Sequence, residues 1–139
     1  MIPGPPSSIR IRYSEVDRMG LLYHVNYLEY FEVARSDWIR WLWKPYREIE
    51  DEGFALVVIE ANIKFISPGK YDDLIEIVVS ASEWGRSRLI FEYTMKRASD
   101  GRKLAEGKTA HCFIDKFGKP IAMPDKLREL LTGHPHINL

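Results

Sequence analysis

The sequence contains little of what marks several other classes of protein. Cys112 is the only cysteine among 139 residues, so neither an intrachain disulfide nor a thiolate zinc cluster can form. Twenty basic and twenty acidic side chains cancel, which removes the electrostatic signal of a nucleic-acid-binding protein. A phosphate-cradling glycine loop and a G-x-S-x-G nucleophile elbow are also missing. We therefore expect no nucleic-acid partner and a reducing compartment.

Apolar runs are short throughout the chain. None approaches the roughly 20 residues of a membrane-spanning helix, and the N-terminus lacks the apolar stretch of a signal peptide. We expect a cytoplasmic protein without a membrane span. Residues 1–8 contain a Pro-Gly-Pro-Pro run, which predicts a flexible leader, extended or disordered, ahead of one domain over residues 9–139.

The spacing of apolar residues distinguishes two segments after the leader. Residues 8–17 alternate apolar and polar side chains, with Tyr13 on the apolar face, and this period of two predicts a strand. From Asn26, the predicted N-cap, the period becomes helical and continues to just before Pro45. The apolar stripe of this long helix consists of Tyr27, Tyr30, Phe31, Ala34, Trp38, Trp41 and Leu42.

The rest of the chain is predicted to be mainly β. A short helix over residues 46–53 closes with Gly53, and a terminal helix begins at Pro124. Between them lie four runs rich in β-branched and aromatic residues, which predict antiparallel strands at residues 54–65, 74–84, 88–97 and 103–114. One dominant helix and a segregated antiparallel sheet make an α+β fold, in which the sheet must wrap the aromatic helix to bury it.

Asp17 is the first candidate for chemistry, because it lies between the first strand and the long helix, where side chains can reach a cleft. The start of a helix supplies unpaired N–H groups and the positive end of its dipole. A carboxylate beside them suits acyl chemistry, in which it attacks a carbonyl or activates water while the N–H groups hold the oxyanion. Gly20 permits a positive φ or a close approach to a ligand. The alternative is a turn residue, since Asp17 lies too far upstream of Asn26 to cap the helix.

The histidines give weaker signals. His24 could carry a proton, orient a ligand or simply pack near the helix start. His111 adjoins Cys112, but neighbours in a strand point to opposite faces, so thiol chemistry is not expected. His134 and His136 lie in a tail with no carboxylate or cysteine nearby, so no metal site is expected there.

The turn Gly85-Arg86-Ser87-Arg88 separates two predicted strands. Its two guanidinium groups could bind the phosphates of a ligand, or they could serve only to keep the surface soluble. The sequence leaves both interpretations open.

One stretch resembles a family signature. Its pattern is Tyr13-x-Glu15-x-Asp17-x-x-Gly20-x-x-Tyr23-His24-x-Asn26-Tyr27, continued by Tyr30-Phe31-Glu32-x-Ala34-Arg35. The pattern resembles that of hotdog-fold acyl-CoA thioesterases of the 4-hydroxybenzoyl-CoA thioesterase type, a group that includes the short-chain bacterial enzymes associated with the Tol-Pal system. Residues 70–77 and 113–124 are also similar to segments of that family.

The resemblance implies a hotdog fold, in which an antiparallel five-stranded sheet wraps one long central helix and joins the sheet of a second subunit. It implies a homodimer or homotetramer with active sites at the subunit interface, an acyl-CoA substrate, and neither a separate cofactor nor a metal. Asp17 would be the nucleophile or general base, and the backbone amide of His24 would be the oxyanion donor. The implied substrate-binding positions are Tyr13, Gly20, Tyr23, Asn26, Tyr27, Arg86, Ser87 and Arg88.

Two positions depart from the family pattern. Relatives usually have threonine where this chain has Val16, and often a small residue or proline where it has Val25, which affects the substrate size and rate that we expect rather than the catalytic atom.

Two other functions stay open. A hydratase or dehydratase would need a histidine paired with an acid, for which His24 and Glu32 are candidates. A non-catalytic module that binds acyl-CoA or an acyl carrier is favoured only by the missing hydroxyl at Val16.

Overall fold

The computed structural model describes residues 1–133, in which one long helix packs against an antiparallel sheet. His134 and His136 therefore lie outside the described residues. The elements in chain order are β1 (Ile2–Pro3), β2 (Ser7–Arg10), a 3-10 helix (Tyr13–Glu15), α1 (Asn26–Leu42), α2 (Tyr46–Asp51), β3 (Ala55–Phe65), β4 (Leu74–Trp84), β5 (Arg88–Arg97), β6 (Lys103–Ile114) and α3 (Asp125–Thr132). This order confirms the predicted α+β plan. Over the same described range, no helix is both long and apolar enough to cross a membrane.

Six strands form the sheet in the order β1-β4-β5-β6-β3, with β2 also paired to β4. Ile2 lies opposite Ala81 and Ser7 lies opposite Ile77, so the two short strands share one edge of β4. The sheet therefore has the predicted five strand positions, and β1 and β2 together fill the edge position beside β4. Two adjacent prolines separate β1 from β2, and proline supplies no N–H to a strand ladder.

The predicted flexible leader is instead part of this sheet edge. The side chain of Ile2 is fully buried. Trp38 of α1 donates a hydrogen bond from Nε1 to the Ile2 carbonyl oxygen at 3.0 Å, and the Gly4 N–H donates to the Val79 carbonyl oxygen at 3.0 Å. The composition of the leader predicted a flexible segment because prolines and a glycine favour no regular secondary structure. The burial of Ile2 against the rest of the fold offsets the conformational entropy that this segment loses when it becomes ordered.

The first predicted strand is shorter than expected. β2 ends at Arg10 rather than at residue 17, and Tyr13 lies in the 3-10 helix. The cause is Glu15, whose Oε1 accepts the Arg12 N–H at 2.8 Å and closes the turn. Tyr13 therefore leaves the buried face on which the alternation placed it, and its side chain is 78% exposed.

Helix α1 packs on the sheet through its predicted apolar stripe. Phe31 stacks on Tyr93 of β5, with ring centroids 4.3 Å apart and 8° between the ring planes. Gly107 of β6 permits this contact, because a Cβ atom there would collide with the Phe31 ring. Trp41 is the exception to the predicted stripe. It is 45% exposed, because Trp38 takes the inward position and Trp41 lies against it with ring centroids 6.3 Å apart.

The two short helices close the ends of the molecule. Gly53 follows α2 with a φ of 96°, which confirms the predicted glycine cap. Helix α3 begins at Asp125, one residue later than predicted, with Pro124 as its N-cap. Arg128 of α3 donates from Nη2 to the carbonyl oxygens of Gly85 and Arg86, at 2.7 Å and 3.0 Å. The terminal helix therefore fixes the turn between β4 and β5.

Strand β3 forms the other edge of the sheet, since β6 is its only partner strand among residues 1–133. Three large apolar side chains of this strand are about half exposed, namely Val58, Ile59 and Phe65. An open, apolar strand edge is a surface at which a second chain can add its own strand. The resemblance predicts that two subunits pair into a continuous sheet, and this edge is available for such pairing.

Candidate active site

A tight hairpin carries Asp17. Its arms meet in an isolated bridge between Val16 and Leu22, and at its tip the Asp17 N–H donates to the Leu21 carbonyl oxygen at 2.8 Å. The hairpin returns the chain from Asp17 toward the start of α1. The Tyr23 N–H donates to the Glu15 carbonyl oxygen at 2.9 Å, so His24 follows directly on the arm that pairs with the residues before Asp17.

The Asp17 carboxylate holds this turn with one of its two oxygens. Oδ1 accepts the N–H of Met19 at 2.8 Å and the N–H of Leu21 at 3.2 Å. This is the turn role that the sequence left open as the alternative to catalysis. Oδ2 has no hydrogen-bond partner within residues 1–133, and the side chain is exposed. The turn therefore fixes the carboxylate through one oxygen and leaves the other available.

Gly20 joins the hairpin to a distant loop. Its φ of 77° lies in the left-handed region, which was one of the two possibilities that the sequence left open for this glycine. Its carbonyl oxygen accepts the N–H of Tyr71 at 3.1 Å, and Leu21 forms an isolated bridge with Lys70. The Asp17 turn is thereby attached to the loop that leads from β3 into β4.

An open cavity of about 590 Å³ lies beside this turn. Its lining residues are Tyr13, Val16, Asp17, Arg18, Gly20 and Tyr71. The structure thus brings together three of the predicted site residues and the unusual Val16, while Val25 does not line the cavity. The sequence interpretation missed Arg18 and Tyr71. The signal for Tyr71 was its place in residues 70–77, the segment that resembles the family.

The start of α1 leaves a backbone donor unused. Helix α1 begins at Asn26 with Val25 as its N-cap, and no side chain caps it. The N–H of His24 has no acceptor within the part of the chain that the structure describes, so the predicted oxyanion donor is unpaired. The prediction that Asn26 is the N-cap is wrong, because its Nδ2 donates instead to the Glu15 carbonyl oxygen at 2.9 Å.

Glu15 is a second carboxylate of the motif in a different environment. It is 7% exposed, and its Oε1 accepts the Tyr30 hydroxyl at 2.8 Å while Oε2 accepts Nη2 of Arg12 at 3.2 Å. Burial opposes ionisation of Glu15, but the hydrogen bonds from Arg12 and Tyr30 hold the pKa of its carboxyl below the ordinary value. The pKa of Tyr30 is raised, by burial first and then by the bond to Glu15. Glu15 therefore fixes α1 beside Asp17, a role that the sequence interpretation did not assign.

Two of the predicted substrate-binding tyrosines do not line the cavity. Tyr27 is buried and packs edge-on against Phe65 with ring centroids 4.9 Å apart. Its environment is that of a core residue rather than of a pocket wall. Tyr23 is about half exposed, and its ring lies on the exposed imidazole of His24 at a centroid distance of 4.5 Å.

The structure separates the predicted phosphate-binding turn from Asp17. Arg86, Ser87 and Arg88 stand at the end of β4, as predicted, and both arginines are exposed. The loop that contacts Gly20 stands at the beginning of β4, eleven strand residues earlier. That strand spans roughly 35 Å at about 3.3 Å per residue. Within one chain, Arg86 and Arg88 therefore lie far from the Asp17 turn.

The remaining histidine and cysteine lie away from the hairpin. His111 is buried, with Nε2 2.7 Å from Thr109 Oγ1, and burial together with the charge of Arg35 lowers its pKa to about 3. Cys112 is half-buried, and its Sγ donates to the carbonyl oxygen of Phe113 rather than to the imidazole. Residues 1–133 contain no group of three or more His, Cys, Asp or Glu side chains that could hold a metal ion.

Comparison with known proteins decides the family. The pattern of the thioesterase-like superfamily matches residues 11–131, from the segment before the Asp17 hairpin to the terminal helix. The chain belongs to the thioesterase-like superfamily. Among its relatives, the acyl-CoA thioesterase YbgC of Haemophilus influenzae is 30% identical over 121 residues, which cover 86% of this chain and 88% of the relative. The expectation of an enzyme of the thioester hydrolase class is confirmed.

Solved structures of superfamily members have the same architecture. A DHNA-CoA thioesterase from Staphylococcus aureus superposes with a TM-score of 0.90 at 28% identity, covering 96% of this chain and 91% of that one. A protein from Aquifex aeolicus superposes with a TM-score of 0.86 at 29% identity, covering 92% of this chain and 99% of its own. These matches confirm the predicted hotdog fold.

Proposed function

We propose that this member of the thioesterase-like superfamily hydrolyses an acyl-CoA thioester to a free acid and coenzyme A. The observation that carries the proposal is the Asp17 carboxylate on the wall of a cavity of about 590 Å³, with one oxygen held by the turn and the other without a partner in residues 1–133. The unpaired N–H of His24 follows at the start of α1. The relatives named as acyl-CoA and DHNA-CoA thioesterases support the substrate class.

As a nucleophile, Asp17 forms a bond from a carboxylate oxygen to the thioester carbonyl carbon, and the carbonyl oxygen becomes an oxyanion that the His24 N–H stabilises. Collapse of this intermediate breaks the C–S bond. A mixed anhydride stays on Asp17, and the coenzyme A thiolate takes a proton from water. A second water then hydrolyses the anhydride, which releases the acid and restores Asp17.

As a general base, Asp17 instead takes a proton from a water whose oxygen attacks the same carbonyl carbon. The oxyanion again lies at the His24 N–H, and the C–S bond breaks as the thiolate takes the proton from Asp17. The two routes differ in one measurable atom. In a single turnover in ¹⁸O-labelled water, attack of water on the Asp17 carbon of the anhydride leaves the label in the Asp17 carboxylate, as mass spectrometry of that peptide would show. The general-base route puts the label in the product acid and never in Asp17.

The proposal includes an assembly of two or four identical chains with active sites between subunits. The half-exposed apolar edge of β3 supports strand pairing between two copies. The separation of Arg86 and Arg88 from Asp17 by the length of β4 supports a shared site, in which the arginines of one subunit bind the coenzyme A phosphates at the Asp17 of another. Sedimentation or light scattering tests the assembly directly.

The finer assignment within the superfamily is part of the same proposal. The motif from Tyr13 to Arg35, which resembles that of the short-chain bacterial enzymes associated with the Tol-Pal system, supports membership of that subgroup. The single cysteine, which favours a reducing compartment, supports a cytoplasmic location. No cofactor beyond the coenzyme A of the substrate is part of the mechanism.

The test is release of free thiol from a panel of acyl-CoAs by the wild type and by Asp17→Asn. The chain supplies a matched control in Asp115→Asn, because Asp115 Oδ1 accepts two turn N–H groups, those of Phe117 at 2.8 Å and Lys119 at 3.0 Å. We expect Asp17→Asn to lower kcat/KM at least 100-fold, on the order of a lost general base or nucleophile, and Asp115→Asn to keep it.

Three results would contradict the proposal. Equal turnover by Asp17→Asn and the wild type would remove Asp17 from the reaction. Tight acyl-CoA binding by the wild type without thiol release from any substrate would favour a binding module. Hydration of an enoyl-CoA without thiol release would favour the hydratase alternative.

A further inference from the structure

Asn26 joins the start of α1 to the segment that precedes Asp17. Its side chain is half-buried, and its Nδ2 donates to the Glu15 carbonyl oxygen at 2.9 Å. The same oxygen accepts the Tyr23 N–H, also at 2.9 Å. One carbonyl group, two residues before Asp17, therefore holds both ends of the segment from Tyr23 to Asn26.

That segment is a tight turn, and it contains the proposed oxyanion donor. The Asn26 N–H donates to the Tyr23 carbonyl oxygen at 2.9 Å, which closes the turn over His24 and Val25. The Tyr23 carbonyl and the His24 N–H belong to one planar trans peptide group, so they point in opposite directions. The bond to the Tyr23 carbonyl therefore also sets the direction of the His24 N–H.

The bonds that hold this turn leave its two central donors unused. Neither the His24 N–H nor the Val25 N–H has an acceptor in the part of the chain that the structure describes. Asn26 does not line the Asp17 cavity, and its amide nitrogen already has a partner. These contacts indicate that Asn26 acts on the backbone of the turn rather than on a ligand.

The placement of the turn matters to the proposed reaction. Because the turn is bonded to Glu15, which precedes Asp17 by two residues, the carboxylate and the His24 N–H are held in one local framework. A preorganised donor stabilises an oxyanion only at hydrogen-bond distance, and a misplacement of about 1 Å can lower the rate about 100-fold.

We propose that Asn26 is a positioning residue, whose side-chain amide holds the turn from Tyr23 to Asn26 so that the His24 N–H points at the oxyanion. The inference rests on the proposed thioester hydrolysis at Asp17. Without the amide, the turn keeps its backbone bond but loses a bond to Glu15, and the His24 N–H can move relative to the Asp17 carboxylate. The transition state loses more stabilisation than the bound substrate, because its oxygen carries the greater negative charge.

Steady-state kinetics of Asn26→Ala test the proposal, with whichever of acetyl-, butyryl-, hexanoyl- and benzoyl-CoA the wild type hydrolyses fastest. We expect kcat to fall roughly 10- to 100-fold, because the donor is displaced rather than deleted. KM should change less than about 3-fold, because Asn26 does not touch the ligand. Asn26→Ser also removes the amide and suits a helix start, so it serves as the second variant if the alanine variant does not fold.

The matched control is Ser7→Ala, which removes a different hydrogen bond of the same helix. Ser7 is buried, and its Oγ donates to Asp37 Oδ2 at 2.7 Å, which joins β2 to α1 away from the helix start. Ser7→Ala should lower the free energy of unfolding, as Asn26→Ala does, but it should keep kcat. An equal loss of kcat in both variants would assign the effect to general loosening of α1 and overturn the proposal.

Infrared difference spectra of a ¹³C-labelled thioester carbonyl measure the hydrogen bond itself. The same acyl-CoA is bound to Asp17→Asn, so that turnover is slow. Binding should lower the carbonyl stretching frequency relative to that of free acyl-CoA, because the His24 N–H polarises the carbonyl. Addition of Asn26→Ala should reverse part of this shift, and addition of Ser7→Ala should not.

The possible outcomes separate this inference from the proposed function. A rise in KM with kcat unchanged would make Asn26 a substrate contact, and unchanged values of both would leave it no role in the reaction. A fall in kcat without a change in carbonyl frequency would show that Asn26 does not act through the His24 N–H. Each of these results overturns the positioning role while the hydrolase stands. If the wild type releases no thiol from any acyl-CoA, the hydrolase is wrong, and the carbonyl frequency of the bound acyl-CoA still decides whether Asn26 directs the donor.

Discussion

Two turns of this chain share one geometry, and only one of them carries the candidate active site. In the Asp17 turn (residues 17–21) and in the Asp115 turn (residues 115–119), Oδ1 of the aspartate accepts the N–H groups two and four residues later. The glycine at the fourth position has a φ of 77° in the first and 83° in the second. An isolated bridge closes each hairpin at the same relative positions.

The surroundings of the two turns differ. Two residues before Asp17 stands Glu15, a buried carboxylate bonded to Tyr30 of α1, whereas two residues before Asp115 stands Phe113, an apolar core residue. The Asp17 turn leads to an unpaired N–H at the start of α1, and its glycine contacts the loop of Tyr71. Local backbone geometry is therefore not sufficient for a site. The helix start and the cavity wall beside the turn distinguish Asp17.

The largest expected effect on stability comes from the buried carboxylate that only the Asp17 turn possesses. Glu15→Gln removes the charge that accepts hydrogen bonds from Arg12 and Tyr30. Hydrogen bonds to charged groups contribute about 2 kcal/mol each, and glutamine keeps one acceptor oxygen, so the free energy of unfolding should fall by about 2 kcal/mol for the bond that is lost. Because Glu15 also fixes the start of α1, kcat/KM should fall with it. Urea unfolding and thiol release measure the two effects.

The pH dependence of the Glu15→Gln effect has a definite sign. The pKa of Glu15 is lowered in the folded chain, so its contribution to stability is complete above the ordinary carboxyl value of 4.5 and is lost as the pH falls through the folded-state value. The wild type and the variant should therefore differ most near neutral pH and converge in acid. Glu106→Gln removes a carboxylate whose pKa is also lowered, by an exposed ion pair with Lys103, so its difference from the wild type should have the same sign but a smaller size. A difference that grows in acid would contradict the assignment.

The two glycines allow a smaller and more direct comparison. Gly20→Ala and Gly118→Ala each place a Cβ in the left-handed region, with no atom within 4 Å to collide with it. Both should lower the free energy of unfolding by about 1 kcal/mol, from backbone strain alone. Only Gly20→Ala should also lower kcat/KM, because its turn positions Asp17 against the cavity. Equal activity in the two variants would mean that the exact shape of the Asp17 turn does not matter to catalysis.

Sequence reasoning succeeded where a feature depends on local pattern. The helical stripe from Tyr27 to Trp38 and the four long strands follow from periodicity. It failed where long-range contacts decide. Ile2 is ordered because distant elements cover it, and Tyr13 is exposed because the Glu15 side chain turns the backbone. Tyr13 and Tyr71 contact each other with ring centroids 5.5 Å apart, and they belong to distant segments, so no window of the sequence contains this contact.

The smallest expected effect is a difference in stability between two aspartate variants. It tests whether the functional Asp17 turn contributes less to the free energy of unfolding than the Asp115 turn does. Asp17→Ala and Asp115→Ala each remove an oxygen that accepts two backbone N–H groups, which contributes about 1 kcal/mol as a capping side chain does. If the two turns are alike in this respect, the two losses in urea unfolding should agree to within about 0.5 kcal/mol. A much smaller loss for Asp17→Ala would mean that the unpaired oxygen beside the cavity destabilises the fold. In that case the surrounding structure would offset the cost of holding this carboxylate. Two turns of the same geometry would then differ in their contribution to the free energy of unfolding.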